Sequence, residues 1–271
     1  CLALADASNS SELRAVAAAI SGSQYVYVGR WAEAEAELEL ATHAAGPAAQ
    51  AFPQDPALAS RVLLAVVKWV LGKNDEATRE LELALSGAAA LSGRQAEFTR
   101  AYVYCFAAWY AQLADDPARA LGFAQQALAV AQRNNFETWL GAGALHLAGA
   151  LTELGDFASG LPLFAQALGG WRAAGAELML PYFLGRYGRA LARAAQPAEA
   201  LATLEQALAG GAANGEAFYQ AELHRLVAEV LSGNGTTPER VGAELASARR
   251  IASQQGATAF AARAEKSLTP S

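Results

Sequence analysis

Six pairs of slim side chains, each pair seven residues apart, recur through the chain: Ala34 and Ala41, Ala77 and Ala84, Ala120 and Ala127, Gly160 and Ala167, Ala200 and Ala207, Val241 and Ala248. Their first members are separated by 43, 43, 40, 40 and 41 residues. Seven residues are two turns of an α-helix, so both members of a pair share one face and let a neighbouring helix approach closely. A leucine follows the second alanine in several units (Leu85, Leu128, Leu168, Leu208) and fills the space beside it. A near-constant period of this length marks a stack of helical hairpins. The expected fold is all-α, a right-handed α-solenoid of about six antiparallel helix pairs with a 40–43-residue period.

The punctuation agrees with that reading. Gly29, Gly72, Asp115-Asp116-Pro117, Gly155-Asp156, Gln196-Pro197 and the run from Ser232 to Pro238 each break the chain between the two helices of a pair. Asp55 before Pro56 reads as a cap with proline at the first helical position. A single helical-repeat domain over residues 1–271 is expected, with units at about 11–46, 56–92, 94–133, 136–174, 178–211 and 216–254 and a capping helix at 257–268. Residues 1–8 read as the end of a further helix. Tyr25-Val-Tyr-Val and Tyr102-Val-Tyr-Cys-Phe are rich in strand formers. Both lie inside longer helical windows without hairpin turns, so helix is expected there too.

Composition excludes several functions. The chain is 54% hydrophobic and 17% charged, with a net charge of −6 and no Lys/Arg block. Nucleic acid is therefore not an expected partner. The longest apolar run, Val62 to Leu71, is interrupted by Lys68 and falls short of the ~18 residues a membrane span needs. No signal peptide is visible, and a cytoplasmic location is expected. Cys1 has two readings, a fragment boundary or the lipidated start of a mature chain. Two cysteines, Cys1 and Cys105, are too few for a disulfide framework or a zinc site.

No catalytic constellation is spelled out, and neither a cofactor nor a metal is expected. His43, His146 and His224 fall on different helices, without metal-ligand spacing. Glu222 and Arg225, three apart beside His224, can pair on one helical face. Cys105 sits among aromatic residues with no cation nearby, which suits an inert buried thiol. Asp115 and Asp116 precede Pro117 at a helix start, where capping accounts for them. Gly141, Gly143 and Gly149 share one helix, each costing about 1 kcal/mol against alanine unless close packing offsets it.

The strongest binding signal is aromatic. Phe98, Tyr102, Phe106, Trp109 and Tyr110 follow helical spacing, with Trp139 on the equivalent helix of the next unit and Tyr182, Phe183 and Tyr187 on the one after. Two readings fit: rings packed between helices, or rings lining a concave groove for a peptide or small organic ligand. The candidate groove residues are Tyr102, Phe106, Trp109, Tyr110, Trp139, His146, Tyr182 and Arg186. Among them Tyr102, Tyr110, Trp139 and Arg186 are expected to be exposed.

The small-residue pairs and Gly-Asp or Gly-Arg turns resemble tetratricopeptide repeats, although the usual period is about 34 residues. Phe52-Pro-Gln-Asp-Pro-Ala57, Lys68-Trp-Val-Leu-Gly72, Phe136-Glu-Thr-Trp139, Trp171-Arg-Ala-Ala-Gly-Ala-Glu177, Pro181-Tyr-Phe-Leu184, Glu222-Leu-His-Arg225 and Arg249-Arg-Ile-Ala-Ser-Gln-Gln-Gly-Ala257 together resemble the C-terminal helical region of large bacterial signalling proteins. In those, an adenylate/guanylate cyclase domain or a DNA-binding domain precedes a P-loop ATPase module and a tetratricopeptide-like tail. The resemblance implies a non-enzymatic scaffold or regulatory module. Its partner would be a protein or peptide, including the ATPase or cyclase module of the same polypeptide; the alternatives are a small-molecule sensor and a lipid-anchored scaffold. The engine of that family is not spelled in this sequence: Gly72-Lys73 is followed by Asn74, and Val67 stands where the first glycine of a P-loop belongs.

Overall fold

The computed structural model describes residues 10–235 and 237–267. These form fourteen α-helices and no strand. Cys1 and the helix end expected at residues 1–8 lie outside the described residues. The helices are α1 (Ser11–Tyr27), α2 (Trp31–Ala41), α3 (Gly46–Gln50), α4 (Pro56–Val70), α5 (Asn74–Ala90), α6 (Ala96–Leu113), α7 (Pro117–Asn134), α8 (Glu137–Glu153), α9 (Phe157–Ala173), α10 (Leu180–Arg193), α11 (Pro197–Asn214), α12 (Gln220–Gly233), α13 (Pro238–Gln255) and α14 (Thr258–Lys266). The strand-like stretches are helical: residues 102–106 lie inside α6, and Tyr25-Val-Tyr closes α1 with Val28 as its C-cap. The short α3 is new: it forms in the connector that reads as loop in the sequence, with Pro47 in its first turn.

Local chemistry sets the helix starts. Asp55, Asp116 and Asp156 each accept a hydrogen bond through Oδ1 from the backbone N–H three residues on, at 2.9, 3.1 and 3.0 Å. Pro56, Pro117, Pro197 and Pro238 occupy first helical positions, where a missing N–H costs nothing.

The hairpins are α1–α2, α4–α5, α6–α7, α8–α9, α10–α11 and α12–α13. First helices of successive hairpins also touch one another and form the inner layer. Helix α6 buries thirteen of its eighteen residues and its partner α7 only five, which separates inner from outer helix. Ten of the twelve slim residues are buried; Ala167 and Val241 are half-buried. Ala167 borders an open groove of about 500 Å³ between α8 and α9. Helix α9 carries Pro162 in its interior and buries Gly160, Phe164 and Leu168.

The last turn of the solenoid meets the first. The N–H groups of Ala217 and Phe218 donate to the carbonyl of Tyr27 at 3.0 and 3.3 Å, and Gln255 Nε2 donates to the carbonyl of Ala217 at 2.8 Å. Gly29 makes this seam possible. Its φ is +73°, and a Cβ there would lie 2.4 Å from the Gln255 amide nitrogen. Phe260 of α14 makes edge contacts with Trp31, Trp69 and Tyr219 at ring distances of 6.4, 6.0 and 6.2 Å. Arg263 of α14 bonds Asp115 at 2.6 Å, Glu222 at 3.2 Å and the carbonyl of Leu113. The middle of the superhelix is thus filled by the protein's own rings. Trp109, fully buried, meets Tyr182 at 6.0 Å and Phe218 at 5.3 Å.

Candidate functional site

Helices α6, α8 and α10 run side by side past this aromatic plug, and the space along them differs on its two sides. Toward their N-terminal halves lies a cavity of about 170 Å³. Helix α6 contributes Tyr102, Cys105 and Phe106; α8 contributes Thr138, Trp139, Ala142 and His146. Trp171, Leu178, Met179 and Phe183 close one wall and Tyr27 another. The rings meet edge to face: Tyr102 to Trp139 at 5.3 Å, Phe106 to Trp139 at 6.4 Å, and His146 to Phe183 at 5.3 Å. Flat rings in such contacts do not tile space, and the volume is what remains between them.

One hydrogen-bond cluster separates cavity from plug. Gln112 Nε2 donates to the carbonyl of His146 at 3.0 Å, which orients the amide. Its Oε1 then accepts from the Tyr182 hydroxyl at 2.8 Å and faces His146 Nδ1 at 2.8 Å. An oxygen facing Nδ1 requires the proton on Nδ1, so Nε2 carries a bare lone pair. Among the described residues no group bonds that Nε2. Burial, with the nearby Arg186 charge, lowers the His146 pKa to about 3, so the ring is neutral. Gly149 makes room for the cluster: a Cβ there would lie 2.5 Å from Gln112 Nε2. That close approach accounts for one of the three glycines of α8.

Toward the C-terminal ends of the same helices the lining is ionic. A space of about 160 Å³ is bordered by Gln112, Asp115, Asp116, Glu153, Arg186 and Arg189. Glu153 receives Arg186 at 3.2 Å, Arg189 at 3.6 Å and Arg193 at 2.8 Å, and Arg189 reaches Asp115 at 3.6 Å. Desolvation opposes the Arg186 charge, but Tyr182 and Glu153 outweigh it and keep its pKa above the ordinary value.

Of the residues expected to form a groove, Tyr102, Phe106, Trp139 and His146 border the cavity. Trp109 and Tyr182 are fully buried in the plug. Two expectations of exposure are corrected: Tyr110 is 6% exposed and Arg186 4%. Helix α6 packs against α4, α5, α7 and α8, which leaves little of its circumference for solvent. Arg186 turns inward to Glu153. Tyr102 and Trp139 are half-buried. Gln112, Trp171 and Met179 were not anticipated; the one available signal was a glutamine in an otherwise apolar stretch of α6.

The cavity supplies apolar contact and a fixed acceptor. Burial pushes the Cys105 thiol well above its usual range, so it is not a thiolate. Elsewhere Glu222 and Arg225 pair at 3.1 Å, and His224 bonds Glu244 at 2.6 Å. Among the described residues no group of three His, Cys, Asp or Glu is placed to hold a metal ion, and no helix is long and apolar enough to cross a membrane.

Known proteins with this architecture are helical-repeat proteins. The Rap protein in complex with competence and sporulation factor superposes with a TM-score of 0.64 at 14% identity, over 94% of this chain and 69% of that one. Bacillus thuringiensis PlcR, in complex with the peptide PapR7 and DNA, gives 0.59 at 14% identity over 79% and 74%. The fold is that of a tetratricopeptide-like solenoid. A signal transduction ATPase with numerous domains and a tetratricopeptide repeat sensor, from Pyrococcus horikoshii, gives 0.53 at 14% identity over 94% of this chain and 38% of that one. In sequence the chain is 30% identical over 206 residues to an uncharacterised protein of Rhizobium meliloti (strain 1021). The match takes in 76% of this chain but spans only a fifth (20%) of that relative. No protein-family profile matches.

Proposed function

We propose that this solenoid is a non-catalytic, cytoplasmic binding module of a bacterial signalling protein, taking up a protein or peptide segment at its inner face. The observation that carries the reading is the aromatic cavity, left open beside a plug that is otherwise fully packed. PlcR with the peptide PapR7 and Rap with competence and sporulation factor each hold a ligand in this fold, and at 14% identity the fold is what they share with this chain. The far greater length of the Rhizobium relative supports a setting in which such a module works beside others. A P-loop ATPase or cyclase module of the same polypeptide is then one partner, and the net charge of −6 speaks against nucleic acid. The test is photo-crosslinking from an unnatural residue at Thr138, on the exposed rim of the cavity, in cells that carry the whole open reading frame. A discrete adduct that disappears when the cavity is filled supports the reading. Adducts that are unchanged by filling, or none at all, overturn it.

A further inference from the structure

The cavity has a chemical preference that its shape alone does not state. Its volume, about 170 Å³, exceeds the roughly 150 Å³ of an engineered apolar cavity that admits benzene. Its walls are mostly ring faces and edges, and no ionised side chain borders it. A charged ligand would lose its hydration with no counter-charge to meet it. Of the cavity's indole N–H groups, that of Trp171 is bonded to the carbonyl of Leu178 at 3.2 Å and that of Trp139 is buried, which leaves polar atoms of two kinds to meet a ligand. The hydroxyls of Tyr27, Tyr102 and Thr138 rotate and serve as donor or acceptor. The imidazole of His146 does not rotate freely, because Gln112 holds its Nδ1–H, and its Nε2 only accepts. His146 is 3% exposed, and among the described residues no group bonds this lone pair.

We propose that this cavity is a built site for a neutral aromatic group carrying a hydrogen-bond donor, a phenol or an indole, with its ring beside Phe106, Trp139 and Phe183 and its O–H or N–H given to Nε2 of His146. This rests on the reading of the chain as a binding module and names what that module grips. The same chemistry has two sources, a free small aromatic molecule or a Tyr or Trp side chain of a partner peptide.

The unbound 271-residue chain is titrated with p-cresol and toluene, and with indole and benzofuran, by calorimetry. Each pair differs chiefly in its donor. The donor-bearing member should bind about fivefold more tightly, the range of one buried hydrogen bond. In the ¹⁵N spectrum the Nε2 resonance of His146 should move with p-cresol and stay with toluene, a readout that needs no variant. Ala142→Leu, which occupies the cavity, should abolish binding of all four probes at an unchanged circular dichroism spectrum. His146→Leu should bind toluene and p-cresol equally. N-acetyl-tyrosinamide separates the sources: binding at the p-cresol level assigns a side-chain anchor, and exclusion assigns a free molecule. Equal affinity of p-cresol and toluene for the unmodified chain, or no binding of any probe, overturns the inference. A crosslinked partner that survives that result would leave the binding-module reading standing without this pocket.

Discussion

The same three helices, α6, α8 and α10, build two unlike chambers. At one end rings surround a space of about 170 Å³ with no ionised side chain on it; at the other, arginines and carboxylates pair around a space of about 160 Å³. The physical rules differ. A gap between rings forfeits contacts gradually, so a protein tolerates it and a ligand can recover the loss. A buried charge without a partner costs several kcal/mol, so Glu153 and Asp115 are held against the arginines of the ionic end, although the Nε atoms of Arg186 and Arg189 make no hydrogen bond. Room without neutralisation marks the place where something else can sit. Paired charges mark structure: Glu153 ties α8 to Arg186, Arg189 and Arg193 of α10. The plug of Trp109, Tyr182 and Phe218 keeps the two apart.

The hardest test of this contrast is Glu153→Ala. It strips the shared partner from Arg186, Arg189 and Arg193 and should cost about 3–5 kcal/mol in urea denaturation, because Arg186 stays buried. A loss under about 1 kcal/mol would mean that water already reaches the ionic end. Next is Arg263→Ala, which asks whether α14 belongs to that end. Losing its bonds to Glu222 and Leu113 should cost about 2 kcal/mol, less than Glu153→Ala because Arg225 still pairs with Glu222. At the aromatic end the sign reverses. Ala142→Leu should add about 0.5–1.5 kcal/mol by filling the cavity, and a destabilised variant would mean the walls cannot accept added volume.

The subtlest test is pH. Glu216 accepts from the N–H of Met179, a cavity residue, at 3.0 Å; burial raises its pKa from 4.5 to about 7 despite that bond. Its folded form holds a proton more tightly, so its contribution is complete below pH 4.5 and is lost as pH rises through 7. His146, lowered from 6.5 to about 3, does the opposite: its contribution is complete above 6.5 and is lost as pH falls toward 3. Between about 4.5 and 6.5 the two oppose each other. Thermal melts across that window should show Glu216→Gln gaining on the unmodified chain as pH rises and His146→Gln falling behind it. Parallel curves for all three would remove both groups from the pH response.

Ala34 to Ala248 revealed the architecture before any coordinates, since seven-residue pairs report a helical face and their period reports the hairpin. In the fourth unit Ala167 keeps its register but is half-buried beside an open groove. The aromatic stripe pointed toward the cavity, but spacing along one helix could not separate Tyr102, half-buried at its edge, from Tyr110 in the core. Arg186 looked like a surface cation because nothing near it in sequence shows Glu153, one hairpin earlier. Gln112 escaped notice for the same reason, being 34 residues from His146.

An all-helical repeat and its apolar faces are legible in the amino acids alone, because these depend on residues within a turn or two of each other. Folding in three dimensions is what brings Gly29 to Gln255, returns Phe260 and Arg263 to the early hairpins, and leaves one lone pair of His146 without a partner among the described residues. Those contacts depend on the angles summed over six hairpins. No local pattern encodes that sum, and it alone brings the ends of the solenoid together around a cavity.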